Sequence, residues 1–156
     1  MKRGFMVEKN GHNLAILSQY IKDLSFENIN SLSQAGALDK QPQIDVQVRV
    51  DVESGSKPNV YFISLVTEIS AKTEKPLFIL ELDYTGEFLV EGFPDDLINL
   101  ILYVECPRLL FPFVRCIVAN TAVDGGFPPL YLSSFNFMEM YMQQLEASKT
   151  QTPENE

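Results

Sequence analysis

The chain has 156 residues, a length suited to one domain with a core of its own. Hydrophobic residues make up 46% and charged residues 21%, which excludes a disordered chain, a collagen or a coiled coil. Acidic residues outnumber basic ones 21 to 12, a formal net charge of −9, which argues against nucleic-acid or anionic-membrane binding and for basic or apolar partners.

Residues 1–13 are polar, hold the only histidine, His12, and read as a flexible tail. Lys2 and Arg3 offer a charged start, but Glu8, Lys9 and Asn10 interrupt any apolar stretch behind them, so no targeting segment is expected. Residues 14–27 alternate as a strand, with Tyr20, Leu24 and Phe26 on one face and Asp23, Ser25 and Glu27 on the other. Residues 28–42 are rich in Asn, Ser, Gln and Gly and form a long connection. Residues 44–52 are the clearest strand. Ile44, Val46, Val48, Val50 and Val52 alternate with Asp45, Gln47, Arg49 and Asp51, as in an antiparallel sheet with one wet face. Two more strands follow over 60–71 and 77–84, and Thr85-Gly86 turns the chain into a short extension, 87–90.

After Gly92 the pattern changes. Pro94 and Asp95 open a helix, with Leu97, Leu100, Ile101 and Val104 at helical spacing. Pro107 is expected to kink or break it. The pattern resumes over 109–123, with Pro112 early enough to be tolerated, and ends at Asp124-Gly125-Gly126. Leu130-Tyr131-Leu132 is a short extended piece, and a last helix covers 136–146 with Ser134 or Asn136 as its cap. Residues 148–156 form a flexible acidic tail, leaving a single domain over 14–147. Strands first and helices after mean an α+β fold: a four-stranded antiparallel sheet with a long, proline-kinked helix and a C-terminal helix packed on one face. The longest strongly apolar run, 97–104, is too short to span a bilayer, so a cytoplasmic protein without stable membrane insertion is expected.

Enzyme constellations are missing. One histidine cannot support more than one charge-relay arrangement, and His12 stands in the expected tail. There is no phosphate-binding glycine motif. Asp95 and Asp96 are adjacent and so point apart on a helix, where acids at the start favour the dipole. Cys106 and Cys116 make neither a disulfide framework nor a zinc site and read as two small core residues. No metal or cofactor is called for.

Two features remain. Between Lys75 and Arg108 there is no Lys or Arg, yet Glu81, Asp83, Glu87, Glu91, Asp95, Asp96 and Glu105 lie inside the interval. Glu81 and Asp83 share a strand face with Ile79, and Asp23 and Glu27 share the outer face of the first strand. These acids either form a solvated face or dock a basic partner segment. The second feature is the last helix. Met138, Tyr141, Met142 and Leu145 can be buried on one face, which leaves Phe137 and Met140 for another surface. Methionine recurs on surfaces that take many apolar partners.

The chain resembles the SecB family of bacterial protein-export chaperones. The likeness rests on Tyr20-Ile21-Lys22-Asp23-Leu24-Ser25-Phe26-Glu27, on Glu81, Gly86 and Phe88, and on Cys106-Pro107-Arg108-Leu109-Leu110-Phe111-Pro112-Phe113-Val114-Arg115. Gly126-Phe127-Pro128-Pro129-Leu130-Tyr131-Leu132 and Asn136-Phe137 continue it. The resemblance implies a homotetramer, a dimer of dimers, that binds unfolded precursor proteins without ATP and delivers them to the SecA motor. It implies a SecA-docking sheet face at Asp23, Glu27, Ile79 and Glu81. It implies an apolar client groove at Phe137, Met138, Tyr141 and Met142. Two alternatives stand beside it: a small α+β enzyme using carboxylates such as Asp83, Glu91, Asp95 or Asp96, and a single-client scaffold of the same fold.

Overall fold

The alternation at 44–52 forms a strand, β3 (Gln43–Ser54). The computed structural model describes residues 5–9 and 11–150 and adds β1 (Phe5–Lys9), β2 (His12–Asn28), β4 (Val60–Lys72) and β5 (Pro76–Glu91). All are antiparallel in one sheet of order β1-β2-β5-β4-β3. The four expected strands are β2 to β5; β1 is a fifth.

The tail expected over 1–13 instead contributes strand. β1 pairs with the start of β2, from Phe5 opposite Ile16 to Lys9 opposite His12. Gly11, at φ 76°, permits the turn between them. Gly92 (φ 79°) sets its bare Cα against the Gly11 carbonyl, which a side chain would not allow. Residues 1–4 and 10 lie outside the described residues, as do 151–156 of the expected C-terminal tail.

Two irregularities in β2 change the expected facing. The β2–β5 register shifts between Ile16 and Ser18 and again between Ile21 and Asp23. Each extra residue reverses the alternation. Tyr20 therefore pairs with Thr85 and shares its face with Asp23, rather than with Leu24 and Phe26 as the unbroken period suggested.

Thr85-Gly86 is no turn, because β5 runs straight through it. Glycine is needed there for space. A Cβ on Gly86 would lie 2.5 Å from the Phe88 ring and 3.0 Å from Leu110 Cδ2.

The helical half runs without interruption from 95 to 124: α1 (Asp95–Leu100), a π-helical turn (Ile101–Glu105) and α2 (Cys106–Asp124). Pro107 neither breaks nor ends it. The Cys106 N–H bonds back five residues to the Ile101 carbonyl, and this wider turn lets the helix continue past a residue with no N–H of its own. Asp95–Asp124 is long and apolar enough to cross a membrane by length and composition, more than the 97–104 run alone indicated. Its inner side packs on the sheet. Leu110, Val114 and Val118 join Leu65, Leu80, Leu82 and Phe88 in one buried cluster. Cys106 belongs to that core and burial raises its thiol pKa; Cys116 is exposed, against the expectation of two core cysteines.

Asn136 caps the last helix, its Oδ1 accepting the Glu139 N–H at 3.0 Å. That helix, α3 (Phe137–Thr150), extends past the expected end at 146 and takes in residues 148–150 of the expected tail. It rests mainly on the π-helical turn. The 28–42 connection is tied down at its start: the Ile29 and Asn30 N–H groups both bond the Leu77 carbonyl, at 2.8 and 3.1 Å. Ser31 and Gln34 bond each other's backbone N–H groups, and Ala37 is fully buried.

Candidate functional site

With the long helix on one side, the other face of the sheet stays open, and the register sets its side chains in rows. One row runs Glu27–Ile79–Ser70–Asp45 from β2 across β5 and β4 to β3. The next is Ser25–Glu81–Glu68–Gln47, then Asp23–Asp83–Val66–Arg49. The structure thus brings Asp23, Glu27, Ile79 and Glu81 together on adjacent strands, as expected, and all four are exposed. It adds Glu68, which the sequence could not place without the β4 register.

The electrostatics of this face are one-sided. Glu68 stands directly opposite Glu81, and Asp23 opposite Asp83. Like charges in register repel and cost stability. Among the described residues, the one ion pair on this face is Arg49–Asp51, at 3.1 Å. Beside Glu81 a cavity of about 150 Å³ is lined by Asp45, Glu68 and Ile79 among others. Ile79 is 38% exposed, an apolar side chain set among carboxylates. Such a face fits a basic segment with an apolar contact at its centre.

The last helix presents the stripe opposite to the one expected. Phe137 is 2% exposed, with ring centroids 5.8 Å from Phe111 and 6.2 Å from Phe135. It belongs to the core and does not line a groove. Met140 and Tyr141 pack partly against the core on the same stripe, at i+3 and i+4. Met138, Met142 and Leu145 face outward, and Met142 is 52% exposed. The helix turns this way because Phe111 and Phe135 offer an aromatic bed at its first residue. Tyr103, on the π-helical turn, meets Tyr141.

A second apolar feature escaped sequence reasoning. Ile44 and Val46 of β3, with Leu130, Tyr131, Leu132 and Phe135, line a cavity of about 430 Å³. Tyr131 is 72% exposed. The available signal was an apolar triplet held between Pro128-Pro129 and Ser133-Ser134 in a segment without helix or strand. On the helix side of β2, Ile21 and Leu24 stay exposed opposite Tyr84 and Leu82, and Leu109 and Phe113 of α2 stay exposed as well. Phe113 stacks on Tyr84 at 6.0 Å.

The carboxylates of the enzyme alternative do not converge. Asp83 and Glu91 are eight residues apart on β5, about 27 Å along a strand. Asp95 and Asp96 are exposed at the head of α1. Among the described residues no group of three or more His, Cys, Asp or Glu could hold a metal ion.

Comparison with known proteins matches residues 7–148 to the family described as preprotein translocase subunit SecB. A protein-export protein SecB of Ruegeria pomeroyi is 43% identical over 136 residues, covering 85% of this chain and 81% of that protein. One of Paracoccus denitrificans is 43% identical over 141 residues, covering 88% and 79%. Among solved structures, a SecB-like chaperone of Mycobacterium tuberculosis in complex with a ChAD peptide from an antitoxin superposes with a TM-score of 0.65. It is 10% identical and covers 79% of this chain and 91% of that one.

Proposed function

Because the chain belongs to the SecB family, we propose that it is an ATP-independent chaperone of protein export, acting in the cytoplasm. In this reading it holds unfolded precursor proteins and hands them to SecA. The observation that carries the reading is α3, whose Met138, Met142 and Leu145 remain in solvent although an apolar bed lies beneath the same helix. A soluble chain keeps such a methionine surface where it has a use for it. The solved relative holding a peptide supports the same view.

Unfolded clients expose apolar segments, and burying them is worth about 25 cal/mol per Å². Met138 and Met142, with the half-buried Tyr141 at their edge and the Tyr131 and Phe135 cavity near the start of α3, supply that area without reading sequence. Weak contacts add up when one client chain spans several of them, and a homotetramer, a dimer of dimers, multiplies the number available. The exposed Ile21, Leu24, Leu109 and Phe113 are surfaces that such assembly can cover. Asp23, Glu27, Ile79 and Glu81 dock SecA on the opposite face, so client and motor need not compete for one site.

The test pairs two measurements on the full chain. Native mass is expected near four times 17.7 kDa and to rise with an unfolded precursor. Aggregation of that precursor is expected to slow without added nucleotide. A monomer that leaves aggregation unchanged sinks the proposal. Client breadth separates it from a single-client scaffold.

A further inference from the structure

On the open face, next to the docking rows, lies a second cavity of about 250 Å³. Its floor is two hydroxyls in register on β4 and β5, Ser64 and Thr85, which are 8% and 2% exposed. Tyr20 on β2 lies opposite Thr85 and Phe62 on β4 opposite Glu87, so they stand on either side of β5 and two residues apart along it, about 12 Å between backbones. Asp83, Asp51 and Glu53 complete the rim, with Lys22 as the only basic lining residue among the described residues.

The hydrogen bonds of the floor have a direction. Thr85 Oγ1 donates to Asp83 Oδ1 at 2.9 Å, which uses its single proton. Ser64 Oγ must then be the donor in its 2.8 Å bond to Thr85 Oγ1. Ser64, more than nine-tenths buried, is left with acceptor lone pairs and no donor among the described residues. Asp51 is already paired with Arg49, but Asp83 and Glu53 make no ion pair among the described residues. Buried polar groups are ordinarily satisfied, so a floor and rim of acceptors call for a group rich in donors. Two aromatic side chains in the lining favour one that is planar. A guanidinium has five donors in a plane and stacks on rings, while an ammonium has neither property.

We propose that this cavity is a socket for one arginine side chain of the basic segment that docks on the acidic face. The proposal rests on the docking reading and adds a position to it. Arginine enters between Tyr20 and Phe62, donates to Asp83 and Ser64, and fixes the register of the segment along β5, while Glu81 and its neighbours supply general attraction.

The experiment uses the full chain and two short synthetic peptides, identical except that the single arginine, flanked by lysines, is citrulline in the second. The arginine peptide is expected to bind about three- to tenfold more tightly and to shift the amide resonances of Phe62, Ser64 and Thr85. Asp83→Asn and Phe62→Leu should each reduce that preference, with a thermal melt confirming the fold. Equal binding of the two peptides overturns the socket, as does a preference that survives both substitutions. Glu81→Lys separates the two readings. If it weakens both peptides while Asp83→Asn and Phe62→Leu leave the preference unchanged, the docking face stands and the socket falls. If no substitution matters, both fall.

Discussion

The ring of Tyr141 on α3 lies stacked on that of Tyr103 in the π-helical turn, 5.7 Å between centroids and 17° between planes. This contact, with Phe137 one turn before it, sets which side of α3 meets the molecule and which meets solvent. The helix is held by few anchors, so its hold can be weakened without disturbing the sheet.

Tyr141→Ala is expected to cost about 1–2 kcal/mol, from the lost ring pair and its buried area. The cost should appear first as faster amide hydrogen exchange within α3. Exchange that rises equally in β4 and β5 would show that α3 is part of the global unfolding unit instead.

Met142→Glu should leave stability within about 0.5 kcal/mol, because the side chain is half in solvent. Its effect is expected on function: weaker protection of an unfolded precursor, read by light scattering, and weaker still with Met138→Glu. Full protection by the double variant removes the outward stripe from the client surface.

Glu81→Lys should weaken SecA binding about tenfold at low salt, with the difference narrowing as salt rises, since exposed charges are screened within about 10 Å at 0.1 M. Surface plasmon resonance at several ionic strengths reads both effects. A salt-independent loss would mean that Glu81 acts by shape rather than charge.

Glu68→Gln is expected to raise stability by about 0.3 kcal/mol in low-salt urea titrations, by removing the carboxylate opposite Glu81. The gain should vanish in salt. A loss of stability would show that the two carboxylates do not repel across the strands.

Gly86→Ala should destabilise by about 2 kcal/mol, because the added methyl meets the Phe88 ring and Leu110 in a filled core. Its denaturation midpoint should fall with the slope unchanged. A neutral result would mean that the Phe88 ring moves aside freely.

Much of this was legible in residues 44–52, where every second side chain is aliphatic and one face must be buried. The acidic face was legible for the same reason: Ile79 and Glu81 keep a period of two on an unbroken strand. The facing of Tyr20 was not, since a bulge depends on how β2 lies along β5. Gly86 looked like a turn because a glycine required by a neighbouring ring has no local signature. In α3 two stripes of similar apolarity compete, Phe137-Met140-Tyr141 and Met138-Met142-Leu145. The choice was made by Phe111 and Tyr103, which lie elsewhere in the chain, and by Phe135 just ahead of the helix.

The π-helical turn at Ile101–Glu105 amounts to one residue of surplus length inside the helical run. Removing a single residue there would restore ordinary α-helical spacing and leave the segments on either side in their present phase, since the wide turn absorbs the surplus residue. It would, however, press the Pro107 ring toward a carbonyl one turn earlier, the clash the wide turn relieves. Length at this point is therefore less negotiable than composition. Relatives with the same proline should tolerate changes of side chain across these five positions more readily than the gain or loss of one position.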